Sequence, residues 1–169
     1  MQSTQYRCRA HYLDASALVK LVADDSAEEP GRSALRKYYH ENPNMYATSY
    51  SITEALSAFK RKFLHEEIDQ AAYLKYVSNF ITQVIGGKLK IDEVHILKPD
   101  VLREAERLIN LYHIDFLDCF QIVTILHGTY CVLGPQSRSI LITADRDLAE
   151  AARKEGASVW ECTSEPAPV

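Results

Sequence analysis

Apolar residues fall in two rhythms along this chain. A loose alternation at residues 8–13 and compact apolar runs at 45–48, 94–97, 140–143 and 158–160 read as strands. Between them, apolar positions recur at the spacing of one helix face. The segment ASALVKLV at 15–22 has this spacing. A second helix is expected from Glu28-Glu29-Pro30 to about Tyr39, since proline suits a first turn. A third opens at Ser51, with Ile52, Ala55, Leu56 and Phe59 on one face. A fourth is capped by Asp69, carries Tyr73, Leu74, Val77, Phe80, Ile81 and Val84 at helical period, and stops at Gly86-Gly87. A fifth starts at Pro99-Asp100 and turns Leu102, Ala105, Leu108 and Ile109 inward. A sixth runs from Asp115 to His127, and a seventh covers 145–155, each followed by a glycine. The end of the chain, TSEPAPV at 163–169, is expected to be a disordered tail.

Strands that alternate with helices predict an α/β fold, a parallel central sheet flanked by helices on both faces. No repeat or linker divides the chain, so residues 1–162 read as a single domain. Right-handed crossovers bring the strand C-terminal ends to one edge. In open α/β sheets the ligand site lies beyond that edge.

Composition narrows the picture. At 169 residues the chain can bury a core without staples, and its 47% apolar and 25% charged residues exclude a disordered or fibrous protein. No apolar run reaches the roughly 18–20 residues of a membrane span, and the N-terminus lacks the apolar stretch of a secretory signal. Cys8, Cys119, Cys131 and Cys162 show neither C-x-x-C nor zinc-ligand spacing, and read as reduced thiols of a cytoplasmic protein. The formal charge of −4 argues against a dedicated duplex-DNA binder. It leaves a nuclease open, because acids gathered to hold cations make the ion-free chain acidic.

Acids stand where the strand-end rule points. Asp14 closes the first strand, Glu54 lies one turn into the helix after the second, and Asp118 lies in the first turn of the sixth helix. Asp145 follows the strand ILIT, with Asp147 two residues on. Gathered carboxylates suit a hard divalent ion such as Mg²⁺ or Mn²⁺, which prefers oxygen ligands. Two such ions can supply a hydroxide and stabilise the leaving oxygen of a displacement at phosphorus. Glu54, Asp118 and Asp145 also have plainer readings. Ser51-Ile-Thr-Glu54 fits a capping box. Asp115 and Asp118 suit a helix N-terminus, and Asp145 suits an N-cap. Asp118 lies among Phe116, Leu117, Cys119 and Phe120, an unusual setting for a solvated cap.

Four segments together resemble the acidic motifs of PIN domains: LDASALVKL at 13–21, SITEALSAFKRK at 51–62, LDCFQIVTIL at 117–126 and LITADRDLAEAA at 141–152. The third departs slightly, with Cys119 where the family often has alanine. The resemblance covers about residues 10–162 and implies a PIN-like α/β/α fold. It implies that Asp14, Glu54, Asp118 and Asp145 form a catalytic, metal-holding quartet for Mg²⁺ or Mn²⁺. Asp147 would be an auxiliary acid, and Ser16 and Thr143 would hold carboxylates or water by hydrogen bonds. Many members are VapC-like toxins, metal-dependent endoribonucleases of toxin–antitoxin pairs. That implies an RNA substrate, a homodimer and a VapB-like antitoxin protein that masks the acidic groove.

Lys60-Arg61-Lys62, on the helix of Glu54, and Arg146, between two of the acids, could meet RNA phosphates, although a basic run is also an ordinary solvated helix face. The six histidines show no i, i+4 pair and no Ser-His-Asp ordering, and Gly86-Gly87 lacks the lysine and hydroxyl of a phosphate loop. Two other functions compete with the ribonuclease. A phosphatase using Asp14 as nucleophile would want a second aspartate where Ser16 stands. A non-catalytic PIN-like scaffold would bind RNA or protein without turnover.

Overall fold

The computed structural model describes residues 9–24, 29–133 and 139–168. Five strands, β1 (His11–Leu13), β2 (Met45–Ala47), β3 (Lys90–Ile91), β4 (Ile140–Thr143) and β5 (Ser158–Glu161), form one parallel sheet in the order β3-β2-β1-β4-β5. β1, β2 and β4 are buried at every position. That is why β2 and β4 read as apolar runs rather than alternating ones.

The pleat sends successive side chains to opposite faces. Leu13, Met45, Ala47, Ile142 and Trp160 join one core with α1 (Ala15–Val22), α2 (Arg32–Glu41), α3 (Ser49–Leu64) and α4 (Gln70–Asn79). Tyr12, Tyr46 and Leu141 join a second core with α5 (Pro99–Tyr112), α6 (Phe116–His127) and α7 (Arg146–Lys154). The result is the α/β/α layering expected from the alternation of elements. After β1 the chain steps outward through β2 and β3, then returns to add β4 on the other side of β1. The β1–β4 boundary is therefore the switch point at which such sheets open a crevice.

The structure corrects several local expectations. Residues 94–97 leave the sheet: Ile96 and Leu97 are 37% and 71% exposed, and the Lys98 N–H closes a turn on the His95 carbonyl at 3.0 Å. The strand in that region is β3, two exposed edge residues that carry no apolar signal. The second helix begins at Arg32, because Gly31 stands before it in the left-handed region with φ of 76°. Cys8 and Glu28 lie outside the described residues. The fourth helix passes into a π-helical segment, Phe80–Ile85, which keeps Phe80 and Val84 buried. Leu74, Ile81 and Leu102 face outward. Residues 163–168, expected to be a disordered tail, instead fold back. The Trp160 indole N–H donates to the Glu165 carbonyl at 3.0 Å, Arg153 pairs with Glu165 at 2.5 Å, and Ala167 packs on the first core.

Candidate active site

Asp14 follows β1 directly and caps α1. Its Oδ1 accepts the Ala17 N–H at 2.8 Å, and its Oδ2 accepts the Thr143 hydroxyl at 2.7 Å. The Ser16 hydroxyl lies 2.9 and 3.0 Å from its two oxygens. Burial pushes this carboxyl up to about 6, against the hydrogen bonds that favour its ionised form. Asp145 caps α7 across the crevice. Its Oδ1 accepts the N–H groups of Asp147 and Leu148 at 2.8 and 3.0 Å. Two hydroxyls tie these strand ends together. Thr143 donates to Asp14 while accepting the Asp145 N–H at 2.9 Å, and Ser16 accepts the Ala144 N–H at 2.8 Å.

Glu54 comes from α3, which starts earlier than its sequence suggests. Thr48 is the N-cap and accepts the Ser51 N–H at 3.0 Å. Ser51 is thus inside the helix, and the expected Ser51–Glu54 capping box does not form. Glu54 is half-buried. Burial raises its carboxyl, with Asp115 and Asp14 adding to the rise and Arg61 opposing it. Asp118 comes from the first turn of α6, where Asp115 is the N-cap and accepts the Leu117 and Asp118 N–H groups at 2.8 and 3.0 Å. The Asp118 carboxyl is pushed up to about 8, first by burial and then by Asp115, Asp14, Asp145 and Glu54.

Asp14, Glu54, Asp118 and Asp145 line one open cavity of about 400 Å³. Arg61 shares its wall. The other basic residues expected to meet RNA point elsewhere. Lys60 lies over the Phe63 and Tyr73 rings at 4.9 and 5.4 Å, and Lys62 pairs with Glu67 at 3.5 Å. Arg146 and Asp147 are exposed and lie outside the cavity wall.

Among the polar residues of that wall, sequence reasoning missed Asp115, Lys20, Glu29, Ser51 and Gln121. Spacing could have found two of them. Lys20 is one helical turn beyond Ser16, and Gln121 is three residues beyond Asp118. Asp115 was read only as a helix-favouring acid.

Among the described residues, no three His, Cys, Asp or Glu side chains already form a metal cage. The donor set is nevertheless that of a hard divalent ion, which takes one or two carboxylates directly and keeps several waters. The raised carboxyls of Asp14, Glu54 and Asp118 express burial first and the crowding of neighbouring acids after it. The buried cation in the wall, Lys20, is already tied to Glu29 at 3.2 Å.

The PIN domain family matches residues 11–154, most of the chain. This chain belongs to the PIN domain family. Its members are typically nucleases, and they generally use divalent metal ions. The fold of this PIN domain is also similar to the crystal structure of PAE2754 from Pyrobaculum aerophilum, with a TM-score of 0.56, 17% identity and 89% of each chain covered. At that identity the likeness concerns the fold. No curated protein sequence matches the chain.

Proposed function

We propose that this PIN domain is an Mg²⁺- or Mn²⁺-dependent endoribonuclease and the toxin of a toxin–antitoxin pair. One observation carries the reading: carboxylates from four separate segments line a single cavity at the β1–β4 crevice. Asp14, Glu54, Asp118 and Asp145 would hold the ion. Bound there, the ion would activate water and offset charge on the scissile phosphate. Asp14 and Asp145 are held by hydrogen bonds through Thr143, Ser16 and the starts of α1 and α7, so their oxygens are fixed in advance. Arg61 is the cation in the wall placed to meet a phosphate.

An anionic cavity of this kind also suits an arginine from a VapB-like antitoxin, because a guanidinium pairs with carboxylates in a fork geometry. A homodimer and a cytoplasmic site of action belong to the same proposal. No single described helix is long and apolar enough to cross a membrane. The test is cleavage of single-stranded RNAs by the purified chain with Mg²⁺, with Mn²⁺ or with chelator. The expected result is cleavage that needs the ion and disappears in Asp14→Asn. Cleavage that survives chelator or Asp14→Asn would overturn the reading, and so would a chain that cuts no RNA.

A further inference from the structure

The four acids divide into two pairs. Asp14 and Asp145 accept hydrogen bonds from hydroxyls and helix N–H groups. The side chains of Glu54 and Asp118 accept none among the described residues, although both are partly withdrawn from water. Direct ligands of a divalent ion are usually held by outer hydrogen bonds that orient them. Half of this quartet has such support and half does not.

A donor for the second half lies in the same wall. Gln121, 3% exposed, is three residues beyond Asp118 on α6 and faces Ser51, itself three residues before Glu54 on α3. Its Oε1 accepts the Ser51 and Thr48 hydroxyls at 2.9 and 3.2 Å. Its Nε2 is buried and has no hydrogen-bond partner among the described residues. A buried donor left unmade destabilises the fold, so its retention calls for a use. Reversing the amide would aim a carbonyl at a cavity lined by carboxylates, which electrostatics disfavours. Anchored at its oxygen end, the amide keeps two unused protons in the cavity wall it shares with the two acids that lack donors.

We propose that Gln121 is a positioning residue: in the ion-loaded site its Nε2 donates to the carboxylates of Glu54 and Asp118 and holds that half of the quartet in place. The proposal rests on the metal-dependent reading above. Its role would resemble that of Thr143 and Ser16 toward Asp14, supplied from the opposite wall.

The test is Mn²⁺ binding to the full chain by calorimetry, together with Mg²⁺ titration followed by the side-chain amide resonances. Gln121→Met keeps side-chain length and removes the donor. It is expected to weaken Mn²⁺ binding by about tenfold or more, the usual effect of losing a ligand-orienting partner. Ser51→Ala, which loosens the amide's anchor, should shift affinity the same way by less. In the wild-type chain, the Gln121 NH₂ pair, assigned through its bonds to the Gln121 backbone amide, should shift and become protected from exchange as Mg²⁺ is added. That readout needs no variant to fold well. Unchanged Mn²⁺ affinity in folded Gln121→Met, or a Gln121 NH₂ pair that ignores Mg²⁺, would overturn the role while leaving the metal-dependent reading intact. A wild-type chain that binds neither ion would overturn both.

Discussion

Asp118 concentrates the electrostatic tension of the molecule in one side chain. It is crowded by Asp115, Asp14, Asp145 and Glu54 and accepts no hydrogen bond from a described residue. A carboxyl raised to about 8 binds its proton more tightly in the folded than in the unfolded chain. The ion-free protein should therefore lose stability as pH rises toward that value, because the native state holds the extra proton. His11, lowered to about 4 mainly by burial, acts oppositely, and its contribution is complete once pH passes the ordinary histidine value of about 6.5. Thermal melts between pH 6.5 and 8 isolate the acid. Without divalent ions the wild-type Tm should fall across this window, and Asp118→Asn should flatten the fall while abolishing RNA cleavage. An acid that only favours the α6 N-terminus gives a different result: Asn there costs roughly 0.3–1 kcal/mol at every pH and leaves the slope alone. Asp14, Asp118 and Asp145 could be found from sequence because each follows a strand or opens a helix at the right edge. Gln121 carries only the weaker signal of its spacing from Asp118, and a polar residue inside the apolar run CFQIVTIL reads as a satisfied core amide until its unpaired nitrogen is seen.

Elements were legible in proportion to their burial. β2 and β4 are buried on both faces and announce themselves as apolar runs, and buried β1 shows a looser alternation ending in Tyr-Leu, whereas β3 is an exposed edge recruited by pairing with β2. The start of α3 was misplaced because Thr48 and Ser51 are both good caps in sequence, and only the backbone separates them. The start of α2 is set by tertiary contact. Gly31 has φ of 76°, and a Cβ added there would lie 1.6 Å from the Cys162 carbonyl oxygen, so α2 can approach the end of β5 only through a glycine. Gly156 has φ of 85° with nothing within 4 Å of its added Cβ. Alanine at Gly156 should cost only the left-handed strain, about 1–2 kcal/mol. Alanine at Gly31 meets the same strain and a backbone collision, so its Tm should fall further, beyond the roughly 2–4 °C per kcal/mol expected for a domain of this size. Equal losses in the two variants would show that the α2–β5 approach yields easily.

At the scale of the whole molecule, the proposed ribonuclease is an anion that must bind an anion. Its formal charge is −4, and its candidate site gathers acids in one cavity with Arg61 and an ion-paired Lys20 for cations. RNA and a masking partner would then compete for the same field in opposite ways. RNA phosphates need divalent ions in place before they can approach. An arginine-bearing antitoxin segment binds best where ions are missing, because its guanidinium supplies the positive charge itself. The toxin reading therefore predicts a linked pattern in cells and in vitro. Expression of the intact chain should arrest bacterial growth, and Asp145→Ala, which removes an exposed carboxylate from the cavity rim, should be harmless. A co-expressed partner should suppress cleavage, and excess Mn²⁺ should restore it only in part, since the partner's wider interface persists after its arginine is displaced. Growth curves for the two chains, with cleavage assays of the purified complex across a Mn²⁺ series, check each step. Harmless expression in several bacterial hosts, with no neighbouring gene product that binds the chain, would remove the toxin assignment. Ion-dependent cleavage by the same preparation would then mark a housekeeping nuclease, and its absence a scaffold.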